Sequence, residues 1–132
     1  MKINHITTPV SPGELLDKIT ILEIKSERIA DADKVTNVRN ELRLLETIWN
    51  EYIEDDEKIL SLRQKLKQIN EKLWDIEDAI RDEERHKRYG DRFIELARSV
   101  YITNDERADI KKQLNLYLNS DIVEEKSYQD YQ

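Results

Sequence analysis

The chain has 132 residues, which is the length of one domain and too short for two. Charged residues make up 39% of it while glycine and proline occur only twice each, a composition typical of amphipathic helices with solvated outer faces. The net charge of −7 disfavours binding to nucleic acid or to an anionic membrane surface, and the lack of cysteine excludes disulfides and thiolate metal sites. The first ten residues do not resemble a signal peptide and no apolar stretch suits a bilayer, so we expect a cytoplasmic protein without membrane insertion.

The first predicted helix runs from about Pro12 to Ile29, after a short extended N-terminus. Ser11 has the chemistry of an N-cap, Pro12 suits the first helical position, and Glu14 stands where it can complete a capping box. The helix buries one face, whose apolar side chains recur at helical spacing: Leu15, Leu16, Ile19, Leu22, Ile24 and Ile29.

Two longer helices follow, each with apolar residues at alternating spacings of three and four, which indicates one buried face. The second comes after a polar break at 30–33 and carries Val35, Val38, Leu42, Leu45, Trp49 and Tyr52. The third comes after an acidic break at 54–57, and we name its apolar row the third-helix seam: Ile59, Leu62, Leu66, Ile69, Leu73, Ile76 and Ile80. This helix is expected to end near Tyr89, with Gly90 as a left-handed stop.

The last part of the chain predicts two more helices. Asp91 can cap a short fourth helix through Tyr101, and the pattern Thr103 to Glu106 resembles a second capping box that begins a fifth helix through Leu118. A polar tail follows from about residue 120. Because the breaks are short, we predict a single all-α domain over residues 1–132, a bundle of four to five mostly antiparallel helices.

Two stripes of polar side chains provide candidate site residues. One lies beside the third-helix seam and consists of Asn70, Trp74, Glu77 and Arg81, with Asp78 next to it. The other lies on the predicted fifth helix and consists of Asn104, Arg107, Lys111 and Asn115.

These stripes allow two interpretations. If they face each other, Arg81, Arg107 and Lys111 would bind an anion such as a phosphorylated small molecule or a sugar nucleotide. Trp74 would stack on that ligand, and Glu77 or Asp78 would act as a base or a metal ligand. The structural alternative is a rim that packs the tryptophan, a surface pair between Glu77 and Arg81, and a core asparagine at 115 that fixes the helix register.

No complete catalytic motif is present. Two glycines are too few for a phosphate-binding loop or a dinucleotide fingerprint. Glu83 and His86 have the spacing of a di-iron ligand pair, but such a site needs that pair on two helices, and the other histidine, His5, has no matching glutamate. We therefore predict no metal and no cofactor. The sequence favours a non-catalytic binding or interaction module that self-associates through the third-helix seam, and an enzyme or small-molecule binder is the alternative.

Four blocks of the chain, taken together, resemble an uncharacterised family of short proteins from bacteria and some of their phages. The blocks are Pro9–Ile29, Ile69–Glu84, Tyr101–Asn115 and Glu124–Tyr128. The resemblance spans most of the chain and implies a setting near cell-surface glycan metabolism, without implying an activity. Because two of these blocks contain the polar stripes, the resemblance adds weight to a functional role for those residues.

Overall fold

The computed structural model describes all 132 residues and contains four helices: α1 (Pro12–Arg28), α2 (Ala32–Tyr52), α3 (Glu57–Arg85) and α4 (Asp91–Tyr117). Helices hold 71% of the residues and there is no strand, so the predicted all-α class is confirmed. The first ten residues are exposed and have no regular structure. None of the helices combines the length and the apolarity that a bilayer span requires.

The first three helices begin at a side-chain cap. Each capping oxygen accepts a backbone N–H from the first turn: Ser11 from Glu14 at 3.1 Å, Asp31 from Lys34 at 3.0 Å and Asp56 from Ile59 at 2.8 Å. Such a cap stabilises a helix by about 1 kcal/mol, because it satisfies a donor that the helix itself cannot. The predicted N-cap at Ser11 is therefore confirmed.

Helix α1 is the centre of the bundle, since it packs against each of the other three helices. The fully enclosed core draws on all four: Leu16, Ile19, Trp49, Ile59, Leu62, Leu66 and Leu114. Trp49 is completely buried, and its indole N–H donates to Asp55 Oδ1 at 2.9 Å, so the one polar atom of the ring is satisfied.

The prediction of separate fourth and fifth helices is wrong, because residues 91–117 form the single helix α4. Thr103, expected as an N-cap, lies in mid-helix with no exposed surface. Leu96, Thr103 and Leu114 share one buried face of α4, since they are seven and eleven residues apart. Packing of this continuous face outweighs the local preference of threonine for a cap.

The predicted end of the third helix is also wrong. Helix α3 ends at Arg85, and the left-handed residue is Lys87, whose φ is 55°. The Lys87 N–H donates to Glu84 O at 3.0 Å and the Arg88 N–H to Glu83 O at 2.9 Å, which is the Schellman pattern. Gly90 has a φ of −84° and serves instead as the N-cap of α4.

The far ends of α3 and α4 extend beyond the bundle. Helix α3 has 29 residues and α1 has 17, so α3 is longer by about 18 Å. Arg28, the last residue of α1, pairs with Asp75 at 2.6 Å, and residues 76–100 continue past that level. We call residues 76–100 the two-helix arm. Only Ile76 and Leu96 are buried in it.

The buried hydroxyl of Thr103 should lower the free energy of unfolding, and this effect can be measured. Its hydroxyl is buried without a hydrogen-bond partner, whereas the equally buried Thr20 hydroxyl donates to Asp17 O at 2.8 Å and accepts from Asn70 at 3.1 Å. Replacing Thr103 with valine removes an unsatisfied polar group, so we expect the free energy of unfolding to rise by about 1 kcal/mol. Thr20→Val, the matched control, should lower it by about 1–2 kcal/mol. Urea denaturation measures both, and a loss of stability in Thr103→Val would contradict this account.

Candidate functional site

A buried carboxylate of α1 lies at the centre of the main polar cluster. Asp17 is 2% exposed, and its Oδ1 accepts from Asn70 Nδ2 at 2.9 Å and from Arg107 Nε at 2.9 Å. Arg107 Nη2 donates to Asp17 Oδ2, so the guanidinium binds the carboxylate through two parallel hydrogen bonds. This hydrogen bond is the main reason that the pKa of Arg107 is raised, against the effect of burial. One carboxylate therefore joins α1, α3 and α4.

Lys111 continues the cluster along α4. It is 7% exposed, and its Nζ lies 2.8 Å from Glu14 Oε2, 2.9 Å from Glu124 Oε2 and 4.0 Å from Asp17 Oδ2. Burial disfavours the charged amine, but the hydrogen bonds to Glu14 and Glu124 and the charge of Asp17 outweigh it, so the pKa of Lys111 is raised. Lys111 is thus a permanent cation near neutral pH and not a general base.

The start of α1 is held directly by α4. The Gly13 N–H donates to Asn115 Oδ1 at 2.7 Å, and Asn115 is 1% exposed. A Cβ at position 13 would lie 2.6 Å from the carbonyl oxygen of Lys111, so only glycine permits this approach of the two helices. The carboxylate of Glu14, expected to complete a capping box at Ser11, contacts Lys111 instead.

The structure brings together only some of the predicted site residues. Asn70, Arg107 and Lys111 belong to the cluster, and Asn104 stands at its edge, 3.4 Å from Arg107 Nη1. Trp74 is half-buried outside the cluster, with the Arg28 guanidinium 5.9 Å from its ring centroid.

The remaining stripe residues, Glu77, Asp78 and Arg81, are exposed. Glu77 and Arg81 pair only with each other, at 3.2 Å. Arg81 is eleven residues beyond Asn70, or about 16 Å along α3, and so lies past the end of α1, which supplies Asp17. The two predicted stripes therefore meet only at Asn70.

Four residues of the cluster were not among the candidates in the two polar stripes: Gly13, Glu14, Asp17 and Glu124. A signal for Asp17 was present in the sequence. Gly13, Asp17, Thr20 and Ile24 follow the same spacings of four, three and four as an apolar stripe, and all four are buried. An acidic residue in such a row indicates a buried charge that needs a partner. For Glu124, which follows the last helix, no periodic signal exists.

A second ionic cluster lies on another face of α1. Arg63 of α3 pairs with Glu23 of α1 and, at 2.5 Å, with Glu46 of α2. Burial lowers the pKa of Arg63, but the hydrogen bonds to Glu46 and Glu23 outweigh it, and the net shift is upward. Lys67 adds contacts to Glu23 at 3.4 Å and to Glu27 at 2.5 Å. This cluster ties α2 to α3, whose backbones do not pack against each other.

The C-terminal tail, residues 120–132, lies along α4 and covers a cleft of about 390 Å³. Besides the contact of Glu124 with Lys111, Glu125 lies 3.9 Å from Lys112 and Lys126 lies 3.9 Å from Asp105. The Tyr131 hydroxyl donates to Asp105 at 2.7 Å, and its ring packs edge-on against Tyr101 at 5.0 Å. We call this space the tail cleft. No residue of the tail is buried.

The site contains no grouping of three or more histidine, aspartate or glutamate side chains placed to hold a metal ion. In comparisons with known proteins, the model of a family of unknown function, DUF6165, matches residues 6–131. The chain belongs to this family. No curated protein and no solved structure matches it. The family assignment agrees with the resemblance seen in the sequence, and the family has no known function to transfer.

The two hydrogen bonds between Arg107 and Asp17 predict that replacing Asp17 strongly lowers the free energy of unfolding. Asp17→Asn keeps the size of the side chain but leaves a largely buried guanidinium without its counter-charge, so we expect the free energy of unfolding to fall by about 3 kcal/mol. The matched control is Glu77→Gln in the exposed pair, which should cost under about 1 kcal/mol. Urea denaturation compares the two. Equal effects would show that the buried pair has no special role.

The tail contact of Tyr131 predicts a dependence on pH. The hydrogen bond to Asp105 raises the pKa of Tyr131 to about 12. Because this pKa is raised above that of a free tyrosine, the contact is complete below about pH 10 and is lost as the pH rises from about 10 to about 12. Carbon-13 NMR of ring-labelled tyrosine resolves the residue, with Tyr131→Phe to assign its signal. Titration of Tyr131 near pH 10 would show that the contact is absent in solution.

Proposed function

We propose that the chain is a non-catalytic helical interaction module that binds a second copy of itself through the two-helix arm. The observation that carries the proposal is the uncovered apolar surface of that arm. Tyr89 is 54% exposed and Ile94 is 53% exposed, and the apolar residues around them are only half-buried: Ala79, Ile80, Phe93, Ala97 and Val100. Exposed apolar side chains at the end of a projecting helix pair favour an interface at this place.

The polar cluster supports a module more than an enzyme. Arg107 is bound by Asp17, and Lys111 is bound by Glu14 and Glu124, so its cations are matched within the chain. Both cations have raised pKa values and therefore stay protonated at neutral pH. A cluster of this kind fixes how helices pack, and it offers no nucleophile with an adjacent base.

A second copy suits the arm for two reasons. Two helix pairs can bury their apolar stripes against each other as a four-helix arrangement, which needs no other partner. The charge of the arm also permits self-pairing. Residues 76–100 contain seven acidic and six basic side chains, a net of −1, whereas the whole chain carries −7. A nearly neutral surface avoids the repulsion that two strongly acidic faces would suffer.

The alternative is an enzyme or binder that holds a phosphorylated or sugar-nucleotide ligand through the two polar stripes. It requires Arg81 to act together with Arg107 and Lys111, which the separation of about 16 Å along α3 disfavours. We place the module in the cytoplasm because the N-terminal residues do not resemble a signal peptide. The sequence resemblance supports a setting of cell-surface glycan metabolism.

Light scattering coupled to size exclusion tests the proposal. The wild-type chain should show a mass that rises above 15.8 kDa with concentration. Ile94→Glu places a charge in the apolar surface of the arm and should hold the mass at that of one chain, because a buried unpaired carboxylate opposes association.

Leu60→Glu is the matched control, since Leu60 is 52% exposed on α3 but lies at the opposite end of the bundle. It should associate like the wild type. A wild-type mass of 15.8 kDa at every concentration, or an equal loss of association in both variants, would reject the arm as the interface.

A further inference from the structure

We propose that the surface of α4 that borders the tail cleft is a binding site for an extended acidic peptide segment of a partner protein, and that the chain's own tail occupies this surface as a displaceable stand-in. The cleft is lined by α4 on one side and by the tail on the other. This inference goes beyond the proposed self-association. It also involves a different part of α4, residues 105–115 rather than the arm.

The first support comes from the carboxylates that contact Lys111. Two carboxylates lie within 2.9 Å of this nearly buried amine, and one of them, Glu124, belongs to the tail. The neighbouring Lys112 also faces a tail carboxylate, that of Glu125. Without the tail, Lys111 would keep Glu14 at 2.8 Å and Asp17 at 4.0 Å, and Lys112 would have no carboxylate within 4.0 Å. The helix bundle thus presents a cationic pair that an acidic segment neutralises.

The second support is the weak attachment of the tail. It has no helix or strand, none of its residues is buried, and two of its ion pairs are as long as 3.9 Å. Exposed ion pairs contribute little to stability, and a segment with few buried contacts opens at low cost in free energy. Apart from the pair between Glu124 and the nearly buried Lys111, a competing segment therefore has to replace only a few exposed contacts.

The contacts of the tail also define the chemistry of the ligand. Consecutive glutamates meet Lys111 and Lys112, and a tyrosine further along reaches Asp105 and the Tyr101 ring. A fitting partner segment is extended, carries two neighbouring carboxylates and has an aromatic residue several positions after them.

The test uses a fluorescein-labelled synthetic peptide with the sequence of residues 120–132 and the full-length protein. The attached tail competes at a high effective concentration, so the wild type should bind the peptide weakly. Full-length Glu124→Lys/Glu125→Lys loses the two tail carboxylates that face Lys111 and Lys112 and should bind it about tenfold more tightly. Fluorescence anisotropy measures both affinities.

Two matched controls test the site itself. A peptide with glutamine in place of both glutamates should bind the tail variant about tenfold more weakly than the parent peptide. Lys112→Gln in the tail-variant background should weaken binding of the parent peptide several-fold, and this residue is half-exposed, so its replacement leaves the fold intact. Equal binding of the peptide by the wild type and the tail variant, no binding by either, or equal binding of both peptides would overturn the proposal.

One further outcome identifies a different occupant. If the tail of a second copy fills the cleft, the mass of the wild type should fall to that of one chain in Glu124→Lys/Glu125→Lys and stay unchanged in Ile94→Glu. That result would replace the partner segment with tail exchange. Loss of association in Ile94→Glu with normal peptide binding in the tail variant would support both the arm and the cleft, so the two proposals fail separately.

Discussion

The buried carboxylate of Asp17 is the constraint around which the bundle is arranged. It lies on the helix that touches all the others, and a charge removed from water must be matched where it stands. Asn70 and Arg107 meet this requirement from α3 and α4, so the rotation and height of both helices are limited to arrangements that keep these hydrogen bonds. Apolar side chains stay in contact when one helix shifts slightly against another, whereas a bidentate hydrogen bond such as that of Arg107 with Asp17 is broken. We therefore expect the cluster to favour one packing of the helices over others that an apolar core alone would allow.

The parts of the fold that depend on local pattern were predictable. Apolar spacing located the first three helices, and the serine followed by proline marked the start of α1. The errors arose where tertiary contacts outweigh local preference. Thr103 looks like a cap because of its neighbours, yet it is helical because one side of α4 is buried along most of its length. Lys87 takes the left-handed position although Gly90 stands three residues later, since the Schellman hydrogen bonds close at that turn.

The candidate site was predictable only in part, for a similar reason. Each polar stripe can be read from its own helix, but whether two stripes meet depends on where the helices cross, which neither stripe specifies. Asn70 is at the crossing and Arg81 is beyond it, although both have the same helical phase. The difference in length between α1 and α3 decides this outcome. It divides α3 into a longer part that serves the core and a shorter part that extends beyond α1.

The hydrogen bond from Gly13 to Asn115 has a consequence for the order in which the molecule is made. It joins positions 102 residues apart, so the start of the first helix is completed by a residue of α4, which is synthesised after the other three helices. Until then a buried N–H of α1 lacks its acceptor, and the carboxylate of Asp17 lacks Arg107. The nascent chain can therefore form helical segments early but can close its core only after α4 has been made. Until then α1 remains exposed to chaperones and proteases.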